Sequence, residues 1–551
     1  MTLSPLTLAA IDPAAAARFP TLSAEAVRAA LLARDEIALL DVREEDPYAR
    51  GHPLWAANAP LSTLELHAWA RIPRLDTTIV LYGEALGEDL APRAAAVLVT
   101  LGYTRVHLLE GGLAGWTAAG GALFIDVNVP SKAFGEWVDA KRHTPSLSAQ
   151  QVKALIDARA DVVIVDARRF DEYQTMSIPT ATSMPGAELV LRVRELAPDP
   201  ATRVIVNCAG RTRSIIGTQS LINAGLPNPV AALRNGTIGW TLAGQALEHG
   251  AARRCPERVG AAVRDDARRA ARRVAARAGV PRIAWRDLPS LASPGRTLYC
   301  FDVRTPDEYA AGHVPGFALA PGGQLVQETD HHAPVRGARI VLADDDGVRA
   351  DMSASWLAQM GWDVHVLDPV EPAERSATGP TAVPAPVPAE AVPPVAPATL
   401  AGWLAAAGAD GDVAVLDVTA SAAYVNGHVP GAWFAVRAQW RDALRRVPAA
   451  RRYVVTCATG QLAAFAAQDL RAWLPAGAER YVLEGGTRAW IAAGLPVERG
   501  ETRLASARVD RYRRPYEGTE NAADAMQAYL DWEYGLVAQL DRDGTHHFNV
   551  I

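Results

Sequence analysis

Short apolar runs recur along this chain, and each of them stops at an aspartate. Ile37-Ala-Leu-Leu meets Asp41, Val162-Val-Ile-Val meets Asp166, Phe301 meets Asp302 and Val413-Ala-Val-Leu meets Asp417. About forty residues after each comes a second run: Thr78-Ile-Val-Leu-Tyr82, Arg203-Val-Ile-Val-Asn207, Ala338-Arg-Ile-Val-Leu342 and Arg452-Tyr-Val-Val-Thr456. Runs of this length without polar alternation read as strands buried on both faces, the pattern of a parallel sheet. Helical segments lie between them, so the chain predicts an α/β architecture. The unit recurs four times, more than a hundred residues apart. That is too long for a solenoid repeat and suits whole small domains.

The polar positions repeat with the apolar ones. The first copy continues as Asp41-Val-Arg43, Tyr48 and Gly51-His52-Pro53, and the second as Asp166-Ala-Arg168, Asp171-Glu-Tyr173 and Ile178-Pro179. The third has Asp302-Val-Arg304, Asp307-Glu-Tyr309 and Gly312-His-Val-Pro-Gly316, and the fourth Asp417-Val418, Tyr424 and Gly427-His-Val-Pro-Gly-Ala432. Three copies end in a glycine turn and a tryptophan: Glu110 to Trp116, Arg234 to Trp240 and Glu484 to Trp490. These tryptophans are expected to pack helix on sheet rather than hold a ligand.

The expected domains are 15–125, 145–250, 282–370 and 398–500. An arginine-rich linker helix is expected within 251–281, running from Cys255 to Ala278 and packed between domains. A proline-rich, semi-rigid spacer fills 371–397. The tail, 501–551, carries an amphipathic helix from about Asn521, with Met526, Tyr529, Leu530, Leu536, Val537 and Leu540 on its apolar side. That side offers a surface for a neighbouring domain or for a second subunit, a route to a homo-oligomer.

The 551 residues are 49% hydrophobic and 21% charged, with a formal net charge of −6. This balance gives no general case for nucleic acid or membrane binding, and no run approaches the ~18 apolar residues of a membrane span. Met1-Thr-Leu-Ser-Pro-Leu-Thr has no basic region before its apolar part, which reads against a secretory signal. The four cysteines, Cys208, Cys255, Cys300 and Cys457, show no CxxC spacing. Neither a zinc ribbon nor a disulfide framework is expected, and a reducing cytoplasm fits. Cys300 lies within a strand and reads as core, and Cys255 opens the linker helix. His546 and His547 lack a third ligand in the sequence, so no metal site is expected.

Chemistry concentrates after the second strand. Cys208 follows Arg203-Val-Ile-Val-Asn207 and precedes a helix, so loop N–H groups and the helix dipole face its sulfur. Both are expected to lower the thiol pKa from its free value of roughly 8.5. Arg211 and Arg213 add fixed charge for a small anion. Ala209, Gly210, Thr212 and Ser214 complete the candidate binding loop. In the fourth copy Cys457 is followed by Ala458, Thr459, Gly460, Gln461 and Leu462, with no arginine. The third copy has Asp344-Asp-Asp-Gly-Val-Arg349 at this place, and the first has Gly83 to Asp89 with no cysteine.

Taken together, Asp-Val-Arg with Glu-Tyr, Gly-His-Val-Pro-Gly-Ala, a cysteine loop at a strand end and Glu-Gly-Gly-x-x-x-Trp resemble the rhodanese family, over nearly all of residues 20 to 500. The resemblance implies four small parallel sheets flanked by helices, in two pairs of an inactive and an active domain, with the proline-rich spacer as a joint. It implies a sulfurtransferase in which a six-residue loop stabilises a cysteine persulfide. Cys208 and Cys457 would be the nucleophiles, and small sulfur anions and thiol acceptors, protein thiols included, the partners. No metal or organic cofactor is implied. Copies one and three, with carboxylates where sulfur should sit, would be inactive and would wall the neighbouring sites.

Two rival readings stand beside this one. Cysteine phosphatases and arsenate reductases place arginine six residues after the cysteine, whereas position 214 is serine and position 463 alanine. A scaffold or sulfur-carrier protein is the second rival, supported by the degenerate copies and opposed by the intact Cys208 loop. Neither loop matches the Cys-Gly-[Ser/Thr]-Gly-Val-Thr pattern of mercaptopyruvate enzymes, so thiosulfate or a persulfide is the expected donor.

Overall fold

The computed structural model describes residues 19–83, 90–380, 386–406, 412–518 and 520–551. Each apolar repeat closes into its own sheet. The second domain shows the plan. A long helix, α1 (Val129–Arg142), leads in, followed by strands β1 (Ser146–Leu147), β2 (Val162–Asp166), β3 (Thr182–Ser183), β4 (Arg203–Asn207) and β5 (Val230–Leu233). They lie parallel in the order β1-β5-β4-β2-β3. The other three domains repeat this order. β4 is followed by helix α2 (Thr212–Ala224), and its last residue, Asn207, pairs with Asp166 at the end of β2. The candidate loop therefore leaves the carboxyl edge of the sheet, where α/β folds open their binding crevices.

The repeated polar residues hold this edge together. Arg168 reaches back to Asp166 with two side-chain hydrogen bonds, 2.9 and 2.7 Å, and gives a third to the Met176 carbonyl at 2.6 Å. Asp41–Arg43 and Asp302–Arg304 do the same. The tyrosine of each copy donates its hydroxyl to a carbonyl eight residues on: Ala56, Ala181, Phe317 and Ala432. In three copies the histidine stacks on that tyrosine, with centroids 3.7 to 4.0 Å apart. Trp116, Trp240 and Trp490 are buried, each indole N–H closing the following turn on the carbonyl of Ala122, Ala246 or Pro496. They pack, as expected.

The domains dock across the two sequence pairs. Val335–Arg336 of the third domain joins the first domain's sheet, antiparallel to Ile37–Ala38, and makes it six-stranded. The second domain docks on the third, where Arg349 pairs with Glu188 at 3.0 Å. The fourth docks on the first, where Arg437 lies between Glu65 at 2.8 Å and Asp469 at 2.6 Å. Each domain with a cysteine loop thus packs against the domain of the other sequence pair that lacks one.

The linker helix α3 runs over Ala261–Arg277, shorter than expected. Cys255 does not open it; its N–H instead extends the chain beside β3 by bonding the Ser183 carbonyl at 2.9 Å. The apolar side of α3, from Ala267 to Ala275, is buried against the second and third domains. The tail helix α4 (Ala523–Asp543) docks within its own chain, along α1. Met526, Tyr529, Leu530, Leu536 and Leu540 are buried and Val537 is half-buried. Among the described residues no helix is long and apolar enough to cross a membrane.

Candidate active site

Cys208 directly follows β4, with 2% of its surface exposed. Its sulfur lies 3.4 Å from Ser214 Oγ, to which the thiol donates, and Ser214 Oγ donates in turn to the Arg211 carbonyl at 2.8 Å. The loop backbone is pinned from behind: the Cys208 carbonyl accepts the Thr237 N–H and the Ala209 carbonyl accepts that of Ile238, both at 3.0 Å. This close approach explains the glycine of the Arg234-Asn-Gly turn. A Cβ on Gly236 would stand 2.3 Å from the Cys208 carbonyl oxygen.

Burial pushes the Cys208 thiol above its ordinary pKa, and Arg213 and Ser214 pull against it. This reverses the lowering expected from the loop and helix dipole, and Glu533 of the tail helix, which stands over the loop, adds to the rise. A Cβ on Gly210 would meet Glu533 Oε2 at 3.1 Å and Tyr529 Cε1 at 3.2 Å. Glu533 is buried, its Oε1 accepts from the Tyr529 hydroxyl at 2.9 Å, and its Oε2 has no hydrogen-bond partner among the described residues. Burial pushes its carboxyl up to about 8, with Glu136 adding to the rise. The helix is anchored by Lys132 of α1. Its ammonium pairs with Asp126 at 2.8 Å and lies 5.1 to 5.6 Å from the ring centres of Tyr516, Tyr529 and Trp532.

The two loop arginines have different surroundings. Arg211 turns to α1 and the tail: it bonds Glu136 at 2.6 and 2.9 Å and Asp139 at 2.9 Å, and its guanidinium lies over Tyr534. The expectation that it faces a substrate anion meets a guanidinium already occupied by two carboxylates. Arg213 stays near the sulfur, held by both oxygens of Glu172 at 2.8 and 2.9 Å. Burial would raise the Glu172 carboxyl, but Arg213, Arg168 and Arg169 outweigh it and hold it at about 2. Arg213 also lines a polar cleft of about 270 Å³ with Arg168, Arg169, Glu172, Arg511 and Arg514. Thr212 packs against Gly135 of α1.

The other loops share this scaffold and fill it differently. In the fourth domain the Gly460 N–H donates to Cys457 Sγ at 3.2 Å, and the Thr487 N–H holds the Cys457 carbonyl at 2.9 Å. Thr459 and Gln461 are exposed, Ala458 and Leu462 half-buried. In the third domain the Asp344 carboxylate accepts the N–H groups of Gly347, Val348 and Ala350 at 3.0, 3.1 and 2.9 Å. A carboxyl group thus occupies the place of the sulfur, and burial, with Asp346 adding to it, pushes its pKa well above the ordinary carboxyl value. Most of the first domain's loop, with Glu84, lies outside the described residues.

A family model described as a rhodanese-like domain matches residues 23–119, 148–243, 288–369 and 400–493. The chain belongs to the rhodanese family. A crystal structure of a thiosulfate sulfurtransferase from Pseudomonas aeruginosa is 62% identical over 97% of this chain and 100% of that one, with a TM-score of 0.94. A rhodanese-related protein from Thermoplasma volcanium is 24% identical over 19% of this chain and 97% of its own, with a TM-score of 0.17. Comparison with curated proteins finds no match.

Within this rhodanese frame the remaining cysteines lie apart from the loops. Cys300 sits in the strand Leu298–Asp302, its thiol pushed up to about 12 by burial. Among the described residues no group of three His, Cys, Asp or Glu is placed to hold a metal ion. His546 packs on Trp137 and Phe548, and His547 bonds the Leu31 carbonyl. Sequence reasoning missed Glu533, Tyr529, Glu172, Lys132, Arg511 and Arg514. Glu172 belongs to a recurring Asp-Glu-Tyr motif and was within reach. The others depend on where the tail docks, which no local pattern encodes.

Proposed function

We propose that this rhodanese moves sulfane sulfur from thiosulfate to a thiophilic acceptor through a persulfide on Cys208. The observation that carries the reading is the Cys208 loop itself: a nucleophile at a strand end, with Ser214 and Arg213 beside it and a helix starting at Thr212. The near full-length similarity to a thiosulfate sulfurtransferase supports the donor.

Thiosulfate enters by the arginine-lined cleft, with Arg213 as its inner contact and Arg511 and Arg514 from the tail at its mouth. Cys208 ionises, favoured by Arg213 and by the Ser214 N–H and hydroxyl. The thiolate attacks the outer sulfur of thiosulfate. The S–S bond breaks, its electron pair leaves with sulfite, and a Cys208 persulfide remains. An acceptor such as cyanide or a thiol, free or on a protein, then attacks the terminal sulfur and releases the thiolate, a ping-pong sequence. Loop N–H groups stabilise the anion at each stage. The scheme calls on no metal or organic cofactor. Arg211 acts as a clamp joining the loop to α1 and the tail.

Mass spectrometry after thiosulfate treatment tests this. The peptide holding Cys208 should gain one sulfur atom and lose it on adding cyanide. Absence of that gain, with sulfur appearing on Cys457 instead, would move the reaction to the fourth domain.

A further inference from the structure

A second cluster of positive charge lies at the joint between the first and third domains, outside the cleft that serves Cys208. Arg336 belongs to the strand that crosses from the third domain into the first domain's sheet, opposite Ile37. It is only 8% exposed. Its guanidinium is sandwiched between two indoles, 3.7 Å from the centre of Trp55 and 4.2 Å from that of Trp362. Such stacking offsets part of the cost of burying the charge. It leaves the in-plane N–H groups unused. Among the described residues no carboxylate or carbonyl accepts from Arg336, and its Nη1 is sealed from solvent without a partner.

Beside it opens a cavity of about 250 Å³ lined by Arg34, Arg296, Arg336, Gly337, Trp362 and Asp363, among others. Arg34 is exposed at the C-terminal cap of the helix Ala24–Ala33 and makes no ion pair among the described residues. Arg296 gives one hydrogen bond to the Gly337 carbonyl at 2.9 Å and pairs with Asp363 at 2.8 Å. Asp363, the one carboxylate of this lining, is also claimed by Arg339 at 3.2 Å and faces His365 at 3.5 Å. His547 of the tail stands nearby, lowered by burial and by Arg34 and Arg336. Burial and Arg34 push Arg336 down to about 9. The cavity thus holds three guanidinium groups against one carboxylate already shared.

An arginine buried without a counter-ion is rare, because its desolvation is repaid only by paired charge or hydrogen bonds. Planar guanidinium donors match a tetrahedral oxyanion, and a second arginine supplies the charge to hold a dianion. We propose that the Arg34–Arg336 cavity binds a small dianionic oxyanion of the sulfate class, which bridges the first and third domains. The proposal is independent of the sulfur-transfer reading, since neither arginine touches the Cys208 loop.

Sulfate and selenate are the probes. Crystals soaked in selenate should show an anomalous peak between Arg34 and Arg336. In melts at matched ionic strength, sulfate should raise the melting temperature above that in chloride, and Arg213→Gln, which weakens the cleft, should keep this rise. Arg34→Gln, at an exposed helix cap, should weaken sulfate binding by about tenfold, the loss of one charge-assisted contact. Arg336→Met, which keeps a stacked apolar stem, should abolish it, and both variants should transfer sulfur from thiosulfate at the wild-type rate. A cavity without selenate, or sulfate stabilisation unchanged in Arg34→Gln, overturns the proposal.

Discussion

The second and fourth domains have the same sheet, the same glycine turn behind the loop and a cysteine at the same strand end, yet they differ in everything around the sulfur. The Cys208 loop is buried from Cys208 to Thr212 and roofed by Tyr529 and Glu533 of the tail helix. The Cys457 loop exposes Thr459 and Gln461. The second domain has Arg213 beside the sulfur and an Asp166–Arg168 pair at the strand end. In the fourth, Val418 and Thr419 follow Asp417 with no arginine at the second position, and burial pushes that carboxyl up to about 7. One scaffold thus supports a closed, cationic site and an open, neutral one. A cysteine in the right loop does not fix its chemistry; what covers and charges the loop does.

The largest expected effect separates the two cysteines. Cys208→Ala should remove most thiosulfate:cyanide sulfur transfer, and Cys457→Ala should leave most of it. A dead Cys457→Ala enzyme beside an active Cys208→Ala enzyme would invert the comparison. Next come the arginines. Arg213→Gln should raise the thiosulfate KM by about 10- to 100-fold, the loss of a charge-assisted contact of roughly 1.5–3 kcal/mol. It should also shift the rise of rate with pH further into the alkaline range, since Arg213 is the cation opposing the raised thiol. Arg211→Gln should chiefly lower the melting temperature, because it leaves Glu136 buried without its partner.

A smaller effect belongs to the roof. The Glu533 carboxyl is pushed up to about 8, so the folded protein holds a proton that the unfolded chain releases near its ordinary value of 4.5. That contribution is fully present below about 4.5 and is lost as pH rises through about 8. Glu533→Gln should flatten this part of the melting-temperature profile relative to wild type; a profile of unchanged slope would place the charge elsewhere. The smallest change is expected in the third domain. Asp344→Cys should create no measurable site, since Asp345 and Asp346 still repel a dianion; turnover in a Cys208→Ala background would show the loop alone is enough.

The sequence patterns carried the fold well, because its determinants are local. Strand runs ending in Asp41, Asp166, Asp302 and Asp417 are two-sided apolar segments, and the Gly236 turn is a steric demand of the neighbouring loop. The placing of Cys208 and Cys457 in loops at strand ends was legible for the same reason. The direction of the Cys208 thiol shift was not. Loop N–H groups and helix dipole are readable in the chain, but the burial that opposes them is set by tertiary packing, and the Glu533 charge that adds to it lies more than three hundred positions away. Nor did the pattern show that Arg211 would be spent on Glu136 and Asp139, or that a strand of the third domain would complete the first domain's sheet. Charge pairing and edge pairing between domains depend on docking geometry, which period and propensity do not specify.

The strand Val335–Arg336 and the helix Ala523–Asp543 also impose an order in time. During synthesis the first domain's sheet, complete to Leu109, emerges with one edge open and waits for about 230 residues before its last strand exists. At ~5–20 residues per second this is roughly 11–45 s. An open strand edge is a template for mispairing throughout that interval. The Cys208 loop waits longer still, because the helix that roofs it lies about three hundred residues further on. Until that helix has emerged, the chain presents this loop without its cover at Gly210.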